Sequence, residues 1–129
     1  MPYQSRTKTL IAAKINDPST WYSFGATITA YEFGRGNFDG LMFALTVDDP
    51  FVFVDLDHCR DPQTGHIEHL ARTYINRLAG YTELSPSGTG VHVFVRGRLP
   101  DFGRKKGNFE VYSSARFATM TGHRLEVPL

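Results

Sequence analysis

Two carboxylates, Asp55 and Asp57, close the apolar run Phe51-Val-Phe-Val-Asp-Leu-Asp57. On a strand alternate side chains share a face, so both carboxylates point the same way, about 6.6 Å apart along the chain. Phe51 and Phe53 precede them on that face, while Val52, Val54 and Leu56 point the other way. Two like charges at the end of a buried strand repel each other and lose hydration. A divalent cation relieves both problems, and hard oxygen ligands suit Mg²⁺ or Mn²⁺. The competing reading is a strand that runs into an acidic turn.

Two later segments add to this signal. Tyr81 to Val95 reads as strand, turn, strand, with Ser85, Ser87, Gly88, Thr89 and Gly90 in the turn and His92 on the returning strand. Hydroxyls and closely approachable backbone N–H groups are the ingredients of a phosphate-binding nest, although many such loops are ordinary hairpin turns. In Phe109-Glu-Val-Tyr112, Glu110 and Tyr112 share a face, and Glu110 could supply a third carboxylate. Arg116 offers a planar fork that matches phosphate oxygens; a structural ion pair would look the same in sequence.

In this order, Asp55-Leu-Asp57, Ser87-Gly-Thr-Gly-Val-His92 and Glu110-Val-Tyr112 resemble the three motifs of the archaeo-eukaryotic primase superfamily. The likeness is to the primase-polymerase domains of phage and plasmid replication proteins. Asp17-Pro-Ser-Thr-Trp21, Phe38-Asp-Gly40, Thr82-Glu-Leu-Ser-Pro-Ser87 and Arg116-Phe-Ala-Thr-Met-Thr-Gly122 fit the same branch, so the resemblance runs over nearly the whole chain. It implies an RRM-like sheet, antiparallel or mixed, fused to an N-terminal α/β unit. It also implies a metal-dependent nucleotidyltransferase that adds NTPs or dNTPs on a single-stranded DNA template, with a helicase or other replication protein as partner. Relatives of this type begin with a further Trp-containing strand and a Lys-x-Pro turn, where Pro2-Tyr3 enters here, and often continue past the position of Thr121-Gly122.

Such chemistry needs a hydroxyl to attack an α-phosphate as pyrophosphate departs, and two cations roughly 3.5–4 Å apart serve it. Asp55 and Asp57 would hold both ions and Glu110 would complete the site. The resemblance implies that His92 contacts the triphosphate beside the Ser87–Gly90 turn; the bland alternative is a satisfied strand histidine. Other readings are a nucleotide- or nucleic-acid-binding module with incomplete catalysis, and a metal-dependent nuclease, which the same three acids would suit. His58, Cys59, His66 and His69 lack the Cys-x-x-Cys pairing of a zinc site.

The 129 residues suit one domain, able to bury roughly two-thirds of its unfolded surface. A 41% hydrophobic fraction argues for a folded core. No apolar run approaches the ~20 residues of a membrane span. The single cysteine excludes an internal disulfide and fits a cytoplasmic setting. Net charge is only +1, yet residues 1–86 carry seven Lys/Arg against ten Asp/Glu, and residues 87–129 carry seven against three. Within that basic part Arg104, Lys105 and Lys106 are candidates to track a template strand, the alternative being a solvated loop.

The elements that must position these residues read as α+β. Residues 1–16 suggest an arm or short hairpin. Asp17 reads as the N-cap of a helix with Pro18 in its first turn and Trp21, Phe24, Ile28 and Tyr31 on one stripe, Trp21 serving packing rather than base stacking. Gly34-Arg-Gly-Asn ends that helix. Leu41–Thr46 and Phe51–Asp55 read as a hairpin of two buried strands around Val47-Asp-Asp-Pro50. A second helix spans about 66–79, stopped by Gly80, with strands near 81–85, 91–97, 108–113 and 116–121. Helices on one sheet face would leave Asp55, Asp57, His92 and Glu110 on the other.

Overall fold

The structure is a computed structural model that describes residue 4 and residues 11–34, 38–100 and 103–129, so most of the expected arm over 1–16 lies outside the described residues, as do Arg35 to Asn37. Aromatic and β-branched residues favour a pleated, buried surface, and Phe51–Leu56 forms the central strand β2. Its two edges are taken by β4 (Val91–Arg96) and β6 (Phe109–Tyr112). Strands β3 (Tyr81–Leu84) and β5 (Gly103–Lys106) flank these, giving an antiparallel sheet in the order β3-β4-β2-β6-β5.

One face of this sheet is the main core. Val52, Val54, Leu56, Val91 and Val93 meet Ile67, Ala71 and Ile75, the last two on helix α2 (His69–Leu78). The apolar residues of α2 are only half used in this core, since Leu70, Tyr74 and Leu78 stay exposed. Ala79 turns the chain into the left-handed region at φ 50°, and a Cβ on Gly80 would run into the carbonyl of Phe94, so the helix can end this close to β4 only through glycine.

The expected hairpin of residues 41–55 does not form. β1 (Leu41–Leu45) pairs instead with β7 (Arg116–Met120) in a separate two-stranded antiparallel sheet. With both edges of β2 occupied, β1 has no edge there to pair with. The Asp49 carboxylate accepts from the Thr46 N–H and hydroxyl, at 2.7 and 3.0 Å, and so closes a tight turn between the strands. Leu45 and Ala118 of the small sheet pack on Phe53, the other face of β2. Of the two, β2 is buried on both faces, whereas Met42 and Phe43 of β1 are exposed.

The first helix is also split. Asp17 caps a single 3₁₀ turn, Pro18–Thr20, accepting from the Ser19 N–H. The chain then extends, and helix α1 (Phe24–Phe33) starts afresh at Ser23, whose hydroxyl accepts from the Ala26 N–H. Two good caps six residues apart compete, and each takes its own turn. Trp21 falls between them, where its indole N–H donates to the Lys14 carbonyl at 2.7 Å and its ring meets Phe117 edge-on at 6.3 Å. No residue of α1 is buried, so its expected apolar stripe is not a core; α1 lies against β1, away from α2.

Candidate active site

Antiparallel register places one residue from each strand of the main sheet in a transverse row: Glu83, His92, Asp55, Glu110 and Lys105. All five project to the face opposite α2, where the next row is Tyr81, Phe94, Phe53, Tyr112 and Gly103. The β1–β7 sheet lies beside this face. Between them opens a cleft of about 430 Å³, floored by Phe53, Asp55 and His92 and walled by Met42, Arg116, Phe117 and Thr119. Ile15 and Ala115 complete its rim.

Asp55 is the strained member of the row. It is 8% exposed, and among the described residues its Oδ1 has no hydrogen-bond partner. The nearest group, His92 Nε2, stands 3.5 Å away without hydrogen-bond geometry. Burial pushes the carboxyl up to about 6; His92 and Arg116 pull it down, while Asp57 and Glu110 push it further up.

Glu110, directly across from Asp55, is neutralised. Lys105 Nζ lies 2.7 Å from Oε1, and the Tyr112 hydroxyl donates to Oε2 at 2.7 Å. Arg116 Nη2 reaches Oε2 at 3.4 Å. Lys105 and Tyr112 hold this carboxyl below the usual glutamate range. Arg116 also stacks its guanidinium 4.6 Å from the Tyr112 ring centre, and among the described residues its buried Nε lacks a partner. Arg116 is thus both the structural ion pair that sequence alone would allow and a wall of the cleft.

His92 sits between two carboxylates. Its Nδ1 is 3.0 Å from the Thr119 carbonyl, which can only accept, so Nδ1 carries a proton. Glu83 Oε1 lies 3.8 Å from the same nitrogen. Glu83 is fully buried, although nothing in the sequence beyond its place in Thr82-Glu-Leu-Ser-Pro-Ser87 marks it as part of the site. The available signal was parity, since Glu83 shares the sheet face of His92.

Asp57 lies just beyond β2, its N–H donating to the Asn108 carbonyl. It abuts the Ser85–Gly90 turn: a Cβ on Gly90 would lie 3.3 Å from Asp57 Oδ1 and 2.9 Å from the Leu56 carbonyl oxygen. The turn's amides are engaged internally. Gly88 N–H donates to the Ser85 carbonyl, Thr89 N–H to Ser87 Oγ, and Gly90 N–H to Ser85 Oγ. A phosphate held by these amides must therefore displace the Ser85 carbonyl from Gly88 and the serine hydroxyls from Thr89 and Gly90; those hydroxyls lie in a chain with Thr89 Oγ1 at 3.1 and 2.7 Å.

The residues fit a cation in part. Asp55's unpartnered oxygen, with Asp57 adding to the repulsion, is what a cation would satisfy, whereas one that draws on Glu110 must take it from Lys105. Among the described residues, no three His, Cys, Asp or Glu side chains stand together as a metal cage. Cys59 is buried, with its thiol pushed up to about 11 by burial, while His58, His66 and His69 are exposed. Arg104, Lys105 and Lys106 form the exposed edge strand β5, not the solvated loop that was the alternative reading. Among the described residues no helix is long and apolar enough to cross a membrane.

No family model matches the chain. It is similar to a protein of Nitratiruptor phage NrS-1 named DNA primase-polymerase, 47% identical over 90 residues. That match covers 65% of this chain and 12% of the phage protein, so the chain spans about one eighth of that relative's length. That similarity agrees in kind with the resemblance the three motifs carry.

Proposed function

We propose that this chain is the catalytic segment of a DNA primase-polymerase, joining nucleotides on a single-stranded DNA template through Asp55, Asp57 and Glu110. The observation that carries the reading is Asp55's buried, unpartnered oxygen at the floor of a cleft whose wall is Arg116. The similarity to the phage protein points to the same chemistry, and the antiparallel sheet suits an RRM-like core.

Asp55 and Asp57 would hold Mg²⁺ or Mn²⁺, with Glu110 joining once Lys105 yields; bound there, the metal would activate the attacking hydroxyl and neutralise the leaving pyrophosphate. His92 turns Nε2 toward Asp55 and the cleft; with Nδ1–H committed to the Thr119 carbonyl, it donates to a triphosphate oxygen as the doubly protonated imidazolium. Arg116 places a fixed cation on the opposite side, where its guanidinium walls the cleft and can pair with phosphate oxygens. Phe53 and Phe117 supply apolar surface beside these charges, which strengthens the interactions closest to them. Ser85, Ser87, Gly88 and Gly90 border the Asp57 end, and Arg104 and Lys106 line an edge along which a template strand can run.

Incubating the purified chain with single-stranded DNA, labelled NTPs or dNTPs and either metal tests the reading. Product ladders support synthesis, and shortened template would mean a nuclease. A second reading, a nucleotide-binding module without turnover, draws on one observation: Glu110 is already held by Lys105, Tyr112 and Arg116. Metal-dependent nucleotide binding without product would identify it.

A further inference from the structure

Glu83 lies outside the proposed machinery, yet it is the most buried charged group of the site, at 0% exposure. Three donors converge on it. The Thr121 N–H reaches Oε1 at 2.8 Å; the Gly122 N–H and the Tyr81 hydroxyl reach Oε2 at 3.0 and 2.9 Å. An ionised carboxylate accepts only, which suits three donors and no acceptor. Thr121 and Gly122 directly follow β7, so Glu83 ties the end of that strand to β3. Two residues before this tie, the Thr119 carbonyl takes the Nδ1 proton of His92.

We propose that Glu83 is a positioning residue for His92. By fixing the 119–122 segment it keeps the Thr119 carbonyl in place, which holds the imidazole proton on Nδ1 and turns Nε2 toward Asp55 and the cleft. Its carboxylate, 3.8 Å from Nδ1, favours a proton on that nitrogen as well. The role in nucleotide binding rests on the function proposed above; the tautomer does not.

Other bonds also hold this segment, from Thr121 Oγ1 to the Leu84 carbonyl at 2.6 Å and from the Leu84 N–H to the His123 carbonyl at 2.9 Å. A purely structural Glu83 would thus leave the ring of His92 indifferent to its replacement. The test is a long-range proton–nitrogen NMR correlation of the His92 ring in the full chain, recorded where the ring is neutral. The native ring is expected to be protonated on Nδ1. Glu83→Gln keeps the shape but sets an NH₂ against a backbone N–H and removes a negative charge 3.8 Å from the ring. It should shift the proton of the neutral ring partly to Nε2 and, because the doubly protonated ring that donates to phosphate loses that charge, weaken nucleotide binding ~10-fold. Tyr81→Phe removes one donor from a part-exposed site and should shift the tautomer less, in the same direction, so the test stands even where Glu83→Gln does not fold. A native ring protonated on Nε2, or an unchanged tautomer in both variants, would overturn the proposal. Failure to bind nucleotide with the expected tautomer would count against the proposed function alone.

Discussion

Asp55 and His92 face each other across β2 and β4, with Asp55 Oδ1 3.5 Å from His92 Nε2. The pair closes the cleft floor, and neither side chain can rotate into water, because both are buried. A group held this way carries a stability cost that ligand binding can recover.

That cost has a sign. Folded Asp55 keeps its proton up to about pH 6, against 3.8 for an ordinary aspartate. Between these values the folded state binds more protons than the unfolded one, so the metal-free protein loses stability as pH rises through the window and levels off above it. Asp55→Asn removes the penalty and should stabilise the metal-free protein at pH 7 by on the order of 2–3 kcal/mol. Denaturant titrations of both proteins at pH 4.5 and 7 check this; a native protein that gains stability from Asp55 ionisation would contradict it.

Lys105 competes with any cation for Glu110. Lys105→Ala should tighten Mn²⁺ binding several-fold, since it removes a positive charge 2.7 Å from Glu110 Oε1. Calorimetric titration with Mn²⁺ measures it, and weaker binding in the variant would place the cation elsewhere.

The outlook for template contacts differs along β5. Replacing Arg104, Lys105 and Lys106 together should lower the slope of log affinity against log salt for single-stranded DNA by roughly 1.4–2.1, at about 0.7 per phosphate contact. Lys105 alone should contribute least, being committed to Glu110. An unchanged slope in the triple variant would leave β5 with a solvation role only.

Much of this arrangement was legible in the sequence where local periodicity sets it. Alternation along residues 51–57 shows which side chains accompany Asp55, and the Ser/Gly turn shows where His92 returns. Register across strands is set by distant partners, so the facing of Glu110 and Lys105, or of β1 and β7, has no local trace. Gly103-Arg-Lys-Lys106 reads as a loop for a further reason. Charged residues on an edge strand deter pairing with other chains, and they erase the apolar alternation that reveals a strand. Asp17 misled in the opposite way, a true cap whose helix ends after one turn because Ser23 caps the next.

Gly90 offers a probe of geometry without touching a charge. A methyl group there meets the Leu56 carbonyl oxygen at 2.9 Å, Ser85 Oγ at 3.2 Å and Asp57 Oδ1 at 3.3 Å. Gly90→Ala should destabilise the chain by about 1–3 kcal/mol and displace Asp57. Thermal unfolding with and without Mn²⁺ reads both effects: the gain in stability on adding metal should be smaller in the variant. An equal gain would separate Asp57 from metal binding.

Nucleotidyl transfer through Asp55 at the end of β2 and Asp57 just beyond it is open to a primed-extension assay with labelled dNTPs. The native chain and the Asp55→Ala/Asp57→Ala double variant would be compared on one single-stranded template with Mg²⁺ or Mn²⁺. The native chain should give metal-dependent, template-directed products and the variant at least ~100-fold less. Equal extension by both would contradict transfer through these carboxylates.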